Sequence, residues 1–192
     1  MKNPKAKNAH LSFRSAIRFA LPAVASLLFA SAAVLLAGND NRAPEVPAAL
    51  QVASGNKVHF HAYAVGVQIY TATVSPTDPA KFVWTFKAPE AVLFDAEGDV
   101  VGLHYAGPTW ESESGSKVVG ARLAGVTVNA SAIPWLLLQA KSTEGPGIFA
   151  RATYIQRVNT VGGLAPATAP TQAGQEARVP YTAEYFFYRA TQ

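Results

Sequence analysis

Cysteine is absent from the 192 residues, and that absence removes several kinds of protein at once. A disulfide framework, a thiolate zinc site, a catalytic thiol and a lipid-modified N-terminal cysteine are all excluded. Charge is scarce as well. Asp, Glu, Lys and Arg make up 15% of the chain while 49% is hydrophobic, the reverse of the balance that keeps a chain disordered. No long stretch keeps a 3.6-residue apolar period, which argues against a helical bundle. Phosphate-cradling Gly-rich loops and dinucleotide fingerprints are missing, so no cofactor is expected. There is no fixed-period repeat either, which argues against propellers and solenoids.

Acidic residues are missing from one region in particular. None precedes Asp40, whereas Lys2, Lys5, Lys7, Arg14 and Arg18 make the start strongly basic. From Phe19 to Gly38 no charge occurs, and Ala, Leu and Val dominate. A basic leader, an apolar stretch and small residues at its end are the parts of a secretory signal, with cleavage sites after Ala33 or Ala37. Residues 1–38 are therefore expected to be a hydrophobic export helix. The alternative is an uncleaved anchor, since about 20 uncharged residues are just long enough to span a bilayer. A secreted or periplasmic location follows, with membrane contact only through this segment.

The whole chain carries a formal net charge of +4, but five of its 16 basic residues belong to the leader. The remainder holds 11 basic and 12 acidic residues and is nearly neutral. A nucleic-acid partner loses its electrostatic argument.

Residues 39–56, with Pro44, Pro47 and Gly55, read as a linker. From Lys57 onward the period is two. Val58, Phe60, Ala62 and Ala64 are expected on one face, and Lys57, His59, His61 and Tyr63 on the other. Gly66 interrupts before Val67 to Val74. Phe82, Trp84 and Phe86 share a face. Val92–Phe94 and Val100–Tyr105 flank Asp95-Ala96-Glu97-Gly98-Asp99, a hairpin signal in which Gly98 can take positive φ. The run Ile133 to Ala140 fits either a buried strand or a short helical piece. In the last strand both faces are bulky: Tyr181, Ala183, Tyr185 and Phe187 against Thr182, Glu184, Phe186 and Tyr188. Short strands separated by turns every 8 to 15 residues predict a single all-β domain over 57–192, an antiparallel β-sandwich or β-barrel with long loops.

The densest polar and aromatic stretch is His104-Tyr105-Ala106-Gly107-Pro108-Thr109-Trp110-Glu111. A neutral imidazole serves as base or hydrogen-bond partner, a carboxylate can orient it, and Trp110 and Tyr105 offer stacking walls. Gln68 and Trp135 are added as candidates for the same ligand surface. The competing reading is a structural corner in which His104 bonds to backbone and Trp110 fills the core. His59 and His61 stand two apart on a strand and could chelate a metal with His104, but two solvent-facing histidines explain the spacing as well, and no metal site is expected. Ser114-Gly115-Ser116 lacks the setting of a nucleophile elbow. Asp95, Glu97 and Asp99 lack the distal glutamate of a calcium loop, because His104 stands in its place. Trp84, Trp110, Trp135 and the tyrosines could form a platform for sugar rings, or be core material.

Several stretches together resemble the DUF3455 family of exported proteins from bacteria and fungi. They are Gly66-Val67-Gln68-Ile69-Tyr70, Phe86-Lys87-Ala88-Pro89-Glu90-Ala91, Leu93-Phe94-Asp95-Ala96-Glu97-Gly98 and the His104–Glu111 stretch. Gly115-Ser116-Lys117-Val118-Val119-Gly120, Ile133-Pro134-Trp135-Leu136-Leu137-Leu138, Tyr154-Ile155-Gln156-Arg157, Thr160-Val161-Gly162-Gly163 and Val179-Pro180-Tyr181-Thr182-Ala183 continue the likeness. The resemblance covers roughly residues 45 to 190 and implies an exported single domain without implying a reaction. It also implies that this chain has lost a cysteine pair, with Ala72 and a residue near Pro170 in their places.

The expectation is therefore an exported β-domain that binds an unidentified small molecule or glycan near His104–Glu111, or an envelope-associated module. One alternative is a small hydrolase or isomerase with His104 as general base and Glu111 as its partner. Another is a purely structural secreted domain.

Overall fold

A computed structural model describes residues 42–191; the expected export helix at 1–38 lies outside the described residues. Eight antiparallel strands follow one another in sequence order: β1 (Asn56–Val74), β2 (Phe82–Phe94), β3 (Val100–Tyr105), β4 (Thr109–Ser112), β5 (Lys117–Val126), β6 (Trp135–Glu144), β7 (Tyr154–Gly162) and β8 (Glu176–Ala190). Each pairs with the next, and β8 returns to β1 to close a barrel. The all-β expectation holds, and closure decides between sandwich and barrel. The ambiguous run at 133–140 enters a strand, β6. Among the described residues no helix is long and apolar enough to cross a membrane.

Closure explains several glycines. Gly66 does not interrupt β1, which runs through it for 19 residues. A Cβ at Gly66 would lie 2.1 Å from the Glu90 carbonyl oxygen of β2, so only glycine permits the strands to approach there. Register shifts at Val58/Phe60, Ile69/Tyr70 and in β5 bend the strands, as bulges do when a sheet curls on itself. The shift near His59 also alters the expected alternation. Val58 joins a cluster on the outer wall with Val158, Phe186 and Tyr188, while Phe60, Ala62 and Ala64 pack in the core.

The two bulky faces of β8 have different covers. Tyr181, Ala183, Tyr185 and Phe187 point into the barrel core. Phe186 and Tyr188 are covered from outside, where Val46 and Val52 pack against them. Leu50, in a short 3-10 turn (Ala48–Leu50), is fully buried, and its carbonyl accepts a hydrogen bond from Gln156 Nε2 (2.7 Å). Much of the stretch read as a linker thus lies along the barrel wall.

One part of the barrel is filled solid. The β6–β7 loop inserts Phe149, which is fully buried and packs on Phe187 at 4.7 Å and on Phe60 at 5.9 Å between centroids. Leu93, Val118 and Ile155 complete this region. The long β7–β8 loop is tied down by hydrogen bonds: Tyr70 Oη donates to Gly163 O (2.6 Å), Trp84 Nε1 to Thr168 O (2.9 Å) and Ala72 N to Gln175 O (2.8 Å). Ala72, one of the two positions where the resemblance places a cysteine, is thus bonded to that loop through its backbone.

Candidate functional site

An eight-stranded barrel is wide enough either to be filled by its own side chains or to hold one small ligand. Here the filling is partial. A cavity of about 570 Å³ lies inside the wall, within the size range of small-molecule sites. Gln68 and Tyr70 of β1, His104 of β3, Trp110 of β4, Arg157 of β7 and Tyr185 of β8 face it, with Leu136 and Leu138 of β6 as apolar wall. Phe86, Lys87 and Pro89 of β2, Arg122 of β5, and the Gly107–Pro108 and Ile133–Pro134 turns complete the lining.

Strand alternation decides which sequence candidates meet here. Gly107, at φ 128°, and Pro108 turn β3 into β4 so that Trp110 stands directly opposite His104. The two rings stack at 4.4 Å with 10° between planes, and Tyr185 approaches both edge-on, at 5.0 and 5.3 Å. Tyr105 and Glu111 have the opposite parity. They meet each other, Tyr105 Oη donating to Glu111 Oε2 (2.7 Å), and Glu111 also lies 3.5 Å from Lys117. Glu111 therefore does not orient His104; the imidazole Nδ1–H donates instead to the Thr109 carbonyl oxygen (2.8 Å). Trp135 is half-buried against the outer cluster, so of the six candidates Gln68, His104 and Trp110 line the cavity while Tyr105, Glu111 and Trp135 do not.

The three tryptophans form no common platform. Trp110 is sealed inside, Trp135 packs on the outer cluster and Trp84 is bonded to the β7–β8 loop. The histidine pair separates too. His59 Nε2 lies 2.7 Å from Ile148 O, and His61 Nε2 lies 3.0 Å from Glu184 Oε2 while its ring stacks on Phe186 at 4.0 Å. Among the described residues no group of three His, Asp or Glu side chains is placed to hold a metal.

Burial sets the chemistry of the cavity. Desolvation holds the His104 imidazole down to about 3, against a weaker opposing pull from its bond to Thr109 and with some help from the Arg157 charge. The ring is therefore neutral at ordinary pH, with Nδ1 protonated and Nε2 left as an acceptor. Desolvation also raises Tyr70, Tyr181 and Tyr185, while Arg157 pulls each the other way. Two buried donors, Gln68 Nε2 and Trp110 Nε1, have no hydrogen-bond partner in the protein. Gln68 lies beside the Tyr181 hydroxyl and influences it, but the amide nitrogen completes no hydrogen bond there.

Arg157 was legible in the sequence only as part of a resemblance. In the fold it is paired across the sheet with Tyr185 and Leu136. It is nine-tenths buried, and Nε and Nη2 both donate to the Pro134 carbonyl oxygen, at 3.2 and 2.8 Å. It stands two residues from Ile155, which is in the core, but that spacing alone does not say which face of the strand is inward.

A family model described as a protein of unknown function, DUF3455, matches residues 53–189. No curated protein and no solved structure matches the chain.

Proposed function

The chain belongs to the DUF3455 family, whose description assigns no activity, and we propose that this member binds a small organic molecule inside its barrel. The observation that supports this is the incomplete filling of the lumen together with two buried donors that no protein group satisfies. Leaving a buried donor unpaired costs about 1–3 kcal/mol, and cores normally close around such space. A ligand with an apolar body would cover Leu136, Leu138 and Trp110 and give acceptors to Gln68 and Trp110. Catalysis by His104 and Glu111 gains no support, because the two side chains have different partners on different sides of the wall.

The neutral fluorophore N-phenyl-1-naphthylamine tests the binding reading directly. The expected result is saturable emission at one equivalent per chain. Leu136→Trp, which adds an indole at the cavity wall, is expected to weaken binding at least about tenfold, as a filled pocket should, with the circular-dichroism spectrum unchanged. Non-saturable emission, or equal affinity in Leu136→Trp, would overturn the reading.

An exported location accompanies this proposal, supported by the basic then apolar leader. N-terminal sequencing of protein recovered from outside the cytoplasm is expected to begin after Ala33 or Ala37. A chain beginning at Met1 would show the leader to be retained.

A further inference from the structure

The guanidinium of Arg157 is the most demanding group in the cavity. It carries a permanent charge, and taking such a charge out of water is expensive unless an opposite charge is supplied. None of the ion pairs among the described residues includes it; they join His61 to Glu184, Lys81 to Asp78, Lys87 to Glu176, Lys117 to Glu111 and Arg178 to Glu90. No Asp or Glu lines the cavity, whereas Lys87 and Arg122 do. Lys87 is answered by Glu176, so the buried charge that the lining leaves without a carboxylate is that of Arg157.

Geometry says what would supply it. The side fork of Arg157, made by Nε and Nη2, is spent on Pro134 O. That bond fixes the plane of the guanidinium. Beyond that bond the guanidinium also meets the Tyr185 hydroxyl, a neutral partner, so none of the ion pairs among the described residues supplies it with a carboxylate. A guanidinium held in place with no opposite charge beside it is the group that a carboxylate pairs with most strongly. Gln68 Nε2 and Trp110 Nε1 are further donors without acceptors, so these three side chains together offer hydrogens and one positive charge.

Resting on the lumen-binding reading above, we propose that the ligand is an organic monocarboxylate whose carboxylate docks against Arg157 and whose apolar body lies along Leu136, Leu138 and Trp110. A single permanent cation beside neutral donors suits a monoanion. A phosphate dianion would meet only one charge there, because Lys87 is engaged by Glu176 and Arg122 is exposed at the lining. Arg122, exposed at the lining, instead favours entry of an anion by raising its local concentration.

The test uses a pair of nearly identical shape, 1-naphthoate and 1-naphthamide, measured by calorimetry and by displacement of N-phenyl-1-naphthylamine. In the wild type the carboxylate is expected to bind about 10- to 100-fold tighter than the amide, the range for a hydrogen-bonded charge. Arg157→Gln is expected to bring the ratio close to one while the neutral fluorophore still binds, which also reports that the barrel is folded. Arg157→Lys keeps the charge and is expected to keep a clear preference for the carboxylate. Equal affinities in the wild type would overturn the carboxylate assignment while leaving the binding barrel standing. So would a preference that survives Arg157→Gln, one that vanishes in a folded Arg157→Lys, or displacement of naphthoate by inorganic phosphate at equal concentration. Failure of the fluorophore itself to bind is a separate result and would remove the lumen reading instead.

Discussion

Trp110→Ala is expected to lower the stability of the barrel by about 3–5 kcal/mol, the usual cost of emptying a buried aromatic site. The indole is only 1% exposed. It stacks on His104, meets the edges of Tyr185 and Phe187 at 5.3 and 5.9 Å, and lies over Gly120, where a Cβ would come within 3.0 Å of its ring. The barrel wall has thus been thinned at Gly120 to receive it. Because the adjoining lumen is already open, the surrounding side chains have little reason to collapse into the gap, and the cost should fall in the upper part of that range. Trp110→Phe is expected to cost much less, since it keeps ring contacts and removes an indole N–H that no protein group satisfies. Urea denaturation at neutral pH measures both. A loss below about 1 kcal/mol for Trp110→Ala would show that the ring does not hold the two regions of the barrel together.

Mild acid is expected to weaken the protein through His104. Its folded-state value, held down to about 3 by burial, lies well below the ordinary 6.5. Between those limits the unfolded chain binds a proton that the folded chain refuses, so stability is complete above pH 6.5 and declines as pH falls toward 3. From pH 7 to pH 4.5 this one residue accounts for about 2–3 kcal/mol. His59, also lowered by burial, adds in the same direction. Glu184, lowered chiefly by its bond to His61, adds only in stronger acid. His104→Asn removes the titrating ring while leaving an amide able to donate to Thr109, and it should flatten the profile between pH 7 and 4.5 by that amount. An equally steep profile in the variant would mean that His104 is not sealed from water.

The candidate site was only half visible before folding, and the reason is parity. In the His104–Glu111 stretch all residues looked equally able to converge. Yet a strand sends successive side chains to opposite sides, and the tight turn at Gly107–Pro108 preserves that alternation across both strands. His104 and Trp110 therefore share the inside, while Tyr105 and Glu111 share the outside and satisfy each other. Arg157 was missed for a complementary reason. Nothing in Tyr154-Ile155-Gln156-Arg157 says whether an arginine faces water, and a basic residue in a strand is most simply placed outside. Only its cross-strand position opposite Tyr185, with Pro134 accepting its side fork, puts it inside.

From the amino-acid pattern alone, the period-two alternation, the turn spacing and the lack of helical periodicity determined an antiparallel all-β domain, because each is a local property of the chain. The absence of cysteine likewise determined that this domain stands without staples, and its size allows that. What local pattern could not determine was closure, since β1 and β8 find each other across more than a hundred residues. Closure turns one face of every strand into a shared interior. It brings Gln68, His104, Trp110 and Arg157, from four different strands, around one cavity, and so decides which polar groups are buried without partners.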